Sequence, residues 1–318
     1  MNYSVDAFSY AAIRSAIYAA VIGLLGASAF VLLVVRRVRG LGLASDLYAE
    51  AATSGAKRMA IACACALALS VPARLIAQSF VLFGAPFEIV SAIPITNWGR
   101  AWLLQVAGVV LAFIALARVR GMSVRAWRVA GAGGVAVALG FSLSGHAAGA
   151  RIAPMLAVIV DCAHMIAAGS WAGTLAALAF VGLPVALRGP EDARGSTALA
   201  LVNAFSPLAL FSAGALVVTG TFSAWEQLGS FGMLLSTQYG NQLMVKLAAV
   251  ALMMAIGAIN WRMLKPKLGT ETAARAIRRS ALREVTVAAF IILTTAYLVV
   301  SAPHGDEDMG SASAAEVR

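Results

Sequence analysis

Long apolar stretches alternate with short polar segments along the whole chain. Eight of these stretches are long enough for a helix to cross the hydrocarbon core of a bilayer, which takes about 20 mostly apolar residues. They cover residues 15–35, 59–83, 101–117, 129–145, 154–183, part of 197–225, 241–261 and 285–302. The pattern predicts an all-α polytopic membrane protein that folds as an eight-transmembrane-helix bundle.

The composition supports the same class. The chain is 61% hydrophobic and 12% charged, with a mean hydropathy of +0.86, whereas an average soluble domain has about 25% charged residues. Eight spans within 318 residues leave no room for a sizeable soluble domain. We divide the chain into an N-terminal membrane half (1–150), a C-terminal membrane half (151–304) and a polar tail (305–318).

The net charge of +10 would suggest a nucleic-acid partner in a soluble protein, but its distribution gives another explanation. Of the 24 lysines and arginines, 18 lie in the segments after the first, third, fifth and seventh stretches. Cytoplasmic loops of membrane proteins carry such an excess, so these segments are predicted to be cytoplasmic. Both termini are then periplasmic, and we expect membrane lipid rather than nucleic acid around the protein.

The stretch 154–183 is almost entirely apolar but contains Asp161 and His164. Side chains three residues apart lie on the same face of a helix. An ionisable group near the bilayer centre costs about 2.5 to 3.5 kcal/mol even on the mildest scale, so such a pair indicates a functional site. Small residues follow at Gly169, Ser170 and Gly173, and we expect them to let a neighbouring helix approach closely.

The three histidines of the chain all fall in the predicted outer half of the membrane. His146 ends the fourth stretch, His164 lies in the fifth, and His304 follows the eighth, with Met165 and Met309 nearby. Imidazole nitrogen and thioether sulfur suit copper, whereas magnesium and calcium prefer oxygen ligands. These five residues are our candidate ligands for an outward-facing copper site, with Met165 the weaker because it points about 100° away from His164.

A structural role for His164 remains an alternative. Its ring could be hydrogen-bonded to Asp161, Ser142 or Ser144 and so hold helices together. If His164 is a ligand, Asp161 could instead accept its second ring N–H and orient the imidazole.

Two further charges, Arg74 and Lys246, lie in the outer halves of apolar stretches and should find partners. An ion pair of Asp161 with either residue is the simplest expectation. We group Trp171 with these three charged residues as side chains expected to surround the ligands.

The cysteines form no disulfide framework. Cys63 and Cys65 lie within one apolar stretch, two residues apart, and therefore point to different sides of a helix. They are either small packing residues or soft-metal ligands.

Four segments of the C-terminal half carry a family resemblance. They read DCAHMIAAGSWAG from Asp161, FSPLA from Phe205 leading to Thr219 and Gly220, TQYGNQLMVKL from Thr237, and NWRMLKPKL from Asn260. In this order and spacing they resemble the copper resistance D family of bacterial inner-membrane proteins. The resemblance covers the last four stretches closely and the first four more loosely. Two arginines usual in the family are replaced here by Ala204 and Trp261.

The resemblance implies copper uptake across the inner membrane, with a periplasmic copper carrier of the copper resistance C type as the donor. It supports His164 as a ligand, whereas His146 and His304 depend on the topology argument. We therefore expect a transporter rather than an enzyme, with copper of undetermined oxidation state as its ion.

Two other functions remain open. The family is thought to be distantly related to membrane proteins that hold haem between helices, so a haem-binding or copper-dependent oxidoreductase is the main alternative, with His146 and His164 as the haem ligands. A subunit that docks a copper carrier without moving the metal is the third.

Overall fold

A computed structural model describes residues 7–150, 153–228, 238–264 and 269–301. Within these ranges the chain is helical and contains no strand, which confirms the all-α class. Eight long helical rods follow one another in the described part. The described residues of each apolar stretch lie within one of these rods, apart from the last two of the fourth stretch.

The rod α1 runs Ala7–Ala29 and continues through a π-helical segment, Phe30–Val35, into Arg36–Gly40. It is followed by α2 (Asp46–Phe83), α3 (Asn97–Arg118) and α4 (Val124–Leu143).

The rod α5 begins as Pro154–Ala168 and continues to Leu187. Two π-helical segments interrupt it, Gly169–Gly173 and Leu178–Gly182, and the α-helical segments Thr174–Ala177 and Leu183–Leu187 follow them. The last three rods are α6 (Glu191–Leu228), α7 (Gln238–Ile259, followed by the π-helical Asn260–Leu264) and α8 (Glu271–Ser301). Short 3-10 turns lie at Glu88–Ala92 and His146–Gly149.

Six of the described helices are long and apolar enough to cross a membrane: Phe8–Gly40, Asp46–Phe83, Asn97–Arg118, Val124–Leu143, Pro154–Leu187 and Glu191–Glu226. The rod α7 contains a shorter apolar part, Leu243–Ile259. The polytopic class is therefore confirmed, while a count of eight spans with periplasmic termini stays a prediction.

The helix ends have local causes in the sequence. Ser45 precedes α2 and its hydroxyl oxygen accepts a hydrogen bond from the Tyr48 backbone N–H at 3.2 Å, and Thr96 caps α3 in the same way through Gly99. Gly84 ends α2 in the left-handed region, at φ +69°, where glycine has no steric penalty.

The rod α1 lies inside the bundle and packs against α2, α4, α5 and α8. It comes very close to α5. A Cβ added at Gly173 would collide with the backbone of Ile22 and Gly26, and one added at Gly169 would collide with the side chain of Leu25. The expectation that the small residues of this stretch admit a neighbouring helix is thus confirmed for Gly169 and Gly173.

Candidate functional site

A cavity of about 390 Å³ lies between α5, α6, α7 and α8, with one residue of α1 at its wall. Its lining is mostly aliphatic. The polar, aromatic and sulfur-containing side chains that line it are His164, Trp171, Thr221, Trp225, Lys246, Met253 and Met254. His164 and Trp171 are seven residues apart, two turns along α5, so both face the same space.

The orientation of the His164 ring is fixed by Thr219 of α6. The Nδ1 atom lies 2.8 Å from the Thr219 Oγ1 atom, and that hydroxyl also lies 2.6 Å from the backbone oxygen of Ala215. A hydroxyl has one hydrogen to donate, and the Ala215 carbonyl can only accept. Thr219 therefore donates to Ala215 and accepts from the Nδ1–H of His164. This assigns the hydrogen to Nδ1 and leaves the lone pair on Nε2 for a ligand.

The partners suggested for His164 by the sequence are engaged elsewhere. Ser142 donates to the Asp161 carboxylate at 2.6 Å, and the Ser144 hydroxyl lies 2.8 Å from the Arg74 guanidinium. We considered Asp161 as the acceptor of the second ring N–H of His164, but this hydrogen bond is made to Thr219.

Among the described residues, Asp161 forms no ion pair within 4.0 Å, so neither Arg74 nor Lys246 contacts it directly. Arg74 is turned away from it, toward Gln105 of α3 and both the hydroxyl and the backbone oxygen of Ser144. The reason is geometric: Arg74 finds neutral oxygen acceptors on Gln105, within α3, and on Ser144, just after α4, and it is almost completely buried.

A second arginine, which the sequence analysis did not single out, joins this cluster. The guanidinium carbons of Arg14 and Arg74 lie 5.1 Å and 4.6 Å from the centroid of one aromatic ring, Phe141. Arg14 also donates to the Tyr18 hydroxyl. Aromatic faces and neutral oxygens thus stabilise both cations, and this cluster ties α1, α2, α3 and α4 together.

Lys246 faces the cavity from α7. It forms no ion pair within 4.0 Å among the described residues, but its charge interacts with Asp161 and with His164. The amine of Lys246 therefore shares the cavity with the free Nε2 of His164.

Of the remaining predicted ligands, only Met165 has a described side chain. Met165 is 4% exposed and packs in the core of the bundle, so it does not line the cavity with His164. The backbone of His146 begins the turn His146–Gly149, but its side chain lies outside the described part, as do His304 and Met309. Within the described residues, no three His, Cys, Asp or Glu side chains are grouped as a metal site.

Two methionines that the sequence analysis missed, Met253 and Met254, line the cavity instead. Met253 follows Lys246 by seven residues, which places both on one face of α7. That spacing could have indicated that Met253 lies near the cavity, but a methionine in an apolar span looks like any other apolar residue. Of the cysteines, Cys63 packs close to Gly23 of α1 and Cys65 is exposed.

Comparison with known proteins places these helices in a family. Residues 5–152 match the family described as Copper resistance protein D-like, N-terminal domain, and residues 199–298 match Copper resistance protein D. The chain belongs to the copper resistance D family. Thr219, Lys246 and Met253 lie within the second matched range, and His164 lies between the two.

A curated relative of this copper resistance D protein is the Copper transport protein CutJ of Bacillus subtilis (strain 168). The two are 26% identical over 238 residues, which is 73% of this chain and 42% of CutJ. The chain thus spans about two fifths of the length of that relative. No solved structure matches the chain.

Proposed function

We propose that this protein imports copper across the bacterial inner membrane and that the cavity at His164 is its binding site. Membership of the copper resistance D family and the similarity to a protein named for copper transport support copper as the transported ion. The apolar helices support a multi-pass membrane location.

One observation carries the assignment of the site. The Nε2 lone pair of His164 and the thioether sulfurs of Met253 and Met254 belong to side chains that line one cavity. This combination of imidazole and soft sulfur is typical of copper sites, and thioether ligands favour Cu(I). Oxygen ligands, which calcium and magnesium need, are scarce in the same lining.

Import is the direction that the resemblance to the copper resistance D family implies, and the predicted topology is consistent with it. His164 lies ten residues, about 15 Å, from the start of α5, which we predict from the charge distribution to be periplasmic. Copper would arrive from a periplasmic carrier of the copper resistance C type. His146, His304 and Met309 are the candidate groups for its capture at that surface.

Lys246 gives the site a property that suits transport. Its ammonium group opposes a metal cation in the same cavity, so binding at His164 is weaker than the ligands alone would give. A transport site must bind its ion well enough to take it up but weakly enough to release it.

The test is Cu(I) uptake by proteoliposomes that contain the purified protein, followed by elemental analysis of the vesicles. We expect His164→Ala to abolish uptake, because it removes the nitrogen ligand. Met165→Leu is the matched control, since this neighbouring residue packs in the core and should leave uptake unchanged. Wild-type uptake by the His164→Ala protein would refute the site.

The same preparation separates the alternative functions. A Soret absorption band in the purified protein without copper uptake would indicate the haem-binding function. Binding of a copper carrier without metal flux would indicate a docking subunit.

A further inference from the structure

A buried polar cluster continues the cavity toward the end of the bundle where α7 ends and α8 begins. Met253 and Ala288 line the cavity from these two helices. One turn further, about 6 Å along each axis, lie Gly257 on α7 and Glu284 on α8. In the predicted topology this is the cytoplasmic side, so the cluster lies between the cavity and the cytoplasm.

The cluster is a chain of hydrogen bonds. The Ser280 hydroxyl donates to Oδ1 of Asn260 at 2.6 Å, and the Asn260 amide donates to Oε1 of Glu284. Glu284 is 6% exposed, and Asn260 and Ser280 are each 8% exposed. The second carboxylate oxygen, Oε2, faces Gly257, where even an added Cβ would remain 3.8 Å away. The hydrogen bond from Asn260 therefore fixes Oε1, whereas the missing side chain of Gly257 leaves room beside Oε2.

Within the described part of the chain, no cation pairs with this carboxylate. Among the described residues, Glu284 forms no ion pair within 4.0 Å, and no charged group of α1, α5, α6 or α7 interacts with it. Lys265 and Lys267, between α7 and α8, lie outside the described residues. The described charged groups at this end of the helices that surround Glu284 bond elsewhere or are exposed: Arg36, Arg37 and Arg39 of α1, Arg188 of α5, Glu191, Asp192 and Arg194 of α6, Arg262 of α7, and Glu271, Arg275, Arg278, Arg279 and Arg283 of α8.

The backbone changes at the same point. At Asn260 the rod α7 passes from α-helix into the π-helical segment Asn260–Leu264. Single π-helical turns of this kind occur frequently at functional sites. A buried carboxylate without a cation is costly in an apolar bundle, and a bound proton removes that cost.

We propose that Glu284 is a proton-binding residue and that its protonation is coupled to the passage of copper out of the cavity. The coupling rests on the proposed function. A copper cation in the cavity and a proton on Glu284 both add positive charge to neighbouring turns of α7 and α8. Each therefore opposes the other: copper arriving near Glu284 releases the proton, and protonation favours release of copper.

The proton site is tested without copper. Infrared difference spectra of the reconstituted protein, recorded while the pH is changed, report the carbonyl stretch of a protonated carboxyl group. We expect a pH-dependent band that is absent in Glu284→Gln and retained in Glu50→Gln, a control at an exposed carboxylate of α2. An unchanged band in Glu284→Gln would overturn the proposal.

A second variant decides the question should Glu284→Gln not fold. Asn260→Ala keeps the carboxyl group but removes its hydrogen-bond donor, so the band should shift in frequency. A band of unchanged frequency would assign the signal to another carboxyl group and overturn the proposal.

The coupling is tested by Cu(I) uptake into proteoliposomes at several pH values. We expect wild-type uptake to change several-fold with pH and Glu284→Gln uptake to be insensitive to it. An unchanged pH profile in Glu284→Gln would refute the coupling. If no variant moves copper, the proposed function fails, while the infrared result still decides whether Glu284 binds a proton.

Discussion

The Nδ1 atom of His164 lies 2.8 Å from the hydroxyl oxygen of Thr219, and the same hydroxyl donates to the carbonyl oxygen of Ala215. Two helices, α5 and α6, therefore determine together which ring nitrogen keeps its hydrogen. The consequence is chemical: Nε2 is the nitrogen with a free lone pair. A histidine prepared in this way is a better metal ligand than one whose ring is free to turn.

Thr219→Val should weaken Cu(I) binding by about 10- to 100-fold, the usual effect of removing the group that orients a metal-binding histidine. Valine has nearly the same shape but accepts no hydrogen bond. Affinity is measured by competition with a coloured Cu(I) chelator. Thr219→Ser restores the hydroxyl and should bind like the wild type; equal affinity of the valine variant would show that Thr219 does not orient the ring.

Lys246→Leu should tighten Cu(I) binding by roughly tenfold or more, because it removes a positive charge from the cavity without adding a ligand atom. Lys246→Arg keeps the charge and should bind like the wild type in the same competition assay. Uptake by proteoliposomes should slow in the leucine variant, since release becomes harder. Weaker or unchanged binding by Lys246→Leu would mean that the ammonium does not oppose the metal.

Gly173→Ala should destabilise the protein by about 1 to 3 kcal/mol or prevent folding, since its Cβ would collide with the backbone of Ile22 and Gly26. Gly214→Ala is the matched control: this glycine lies inside α6 with nothing within 4 Å of an added Cβ, so alanine should be neutral or slightly stabilising. Thermal unfolding in detergent compares the two. Equal melting temperatures would show that α1 and α5 are not in close contact.

Stability should fall in acid through Glu271, at the start of α8. Hydrogen bonds from Arg194 and Arg275 hold the pKa of this carboxyl group below its ordinary value of 4.5. Its folded-state pKa is depressed, so its contribution is fully present above about pH 4.5 and is lost as the pH falls through the folded-state pKa. The melting temperatures of wild type and Glu271→Gln should differ at neutral pH and converge in acid. A difference that does not change with pH would contradict this.

The helices of this protein were largely predictable from the apolar pattern. A span must satisfy its backbone hydrogen bonds internally, so a long apolar stretch has few other structures available. Gly169 and Gly173 were predictable for the same kind of reason, because small residues in a span allow close packing. A function for the stretch around His164 stays a prediction, which depends on the cost of placing ionisable groups in an apolar helix.

The partners of the polar side chains were not predictable. Ser142 and Ser144 were both reasonable partners for His164, but they bond to Asp161 and Arg74. The choice depends on how each helix is rotated and how closely it packs, which the spacing of residues in one helix does not determine. Met253 was hidden for a different reason: in an apolar span, a methionine that faces a cavity looks the same as one that faces lipid.

The most direct test of the account is X-ray absorption at the copper edge on the purified protein loaded with Cu(I). We predict a mixed shell of nitrogen and sulfur neighbours in the wild type, loss of the nitrogen in His164→Ala, and loss of sulfur when Met253 and Met254 are both replaced by leucine. A copper spectrum that is the same in all three proteins, or no bound copper in the wild type, would contradict the central claim that this cavity is the copper site.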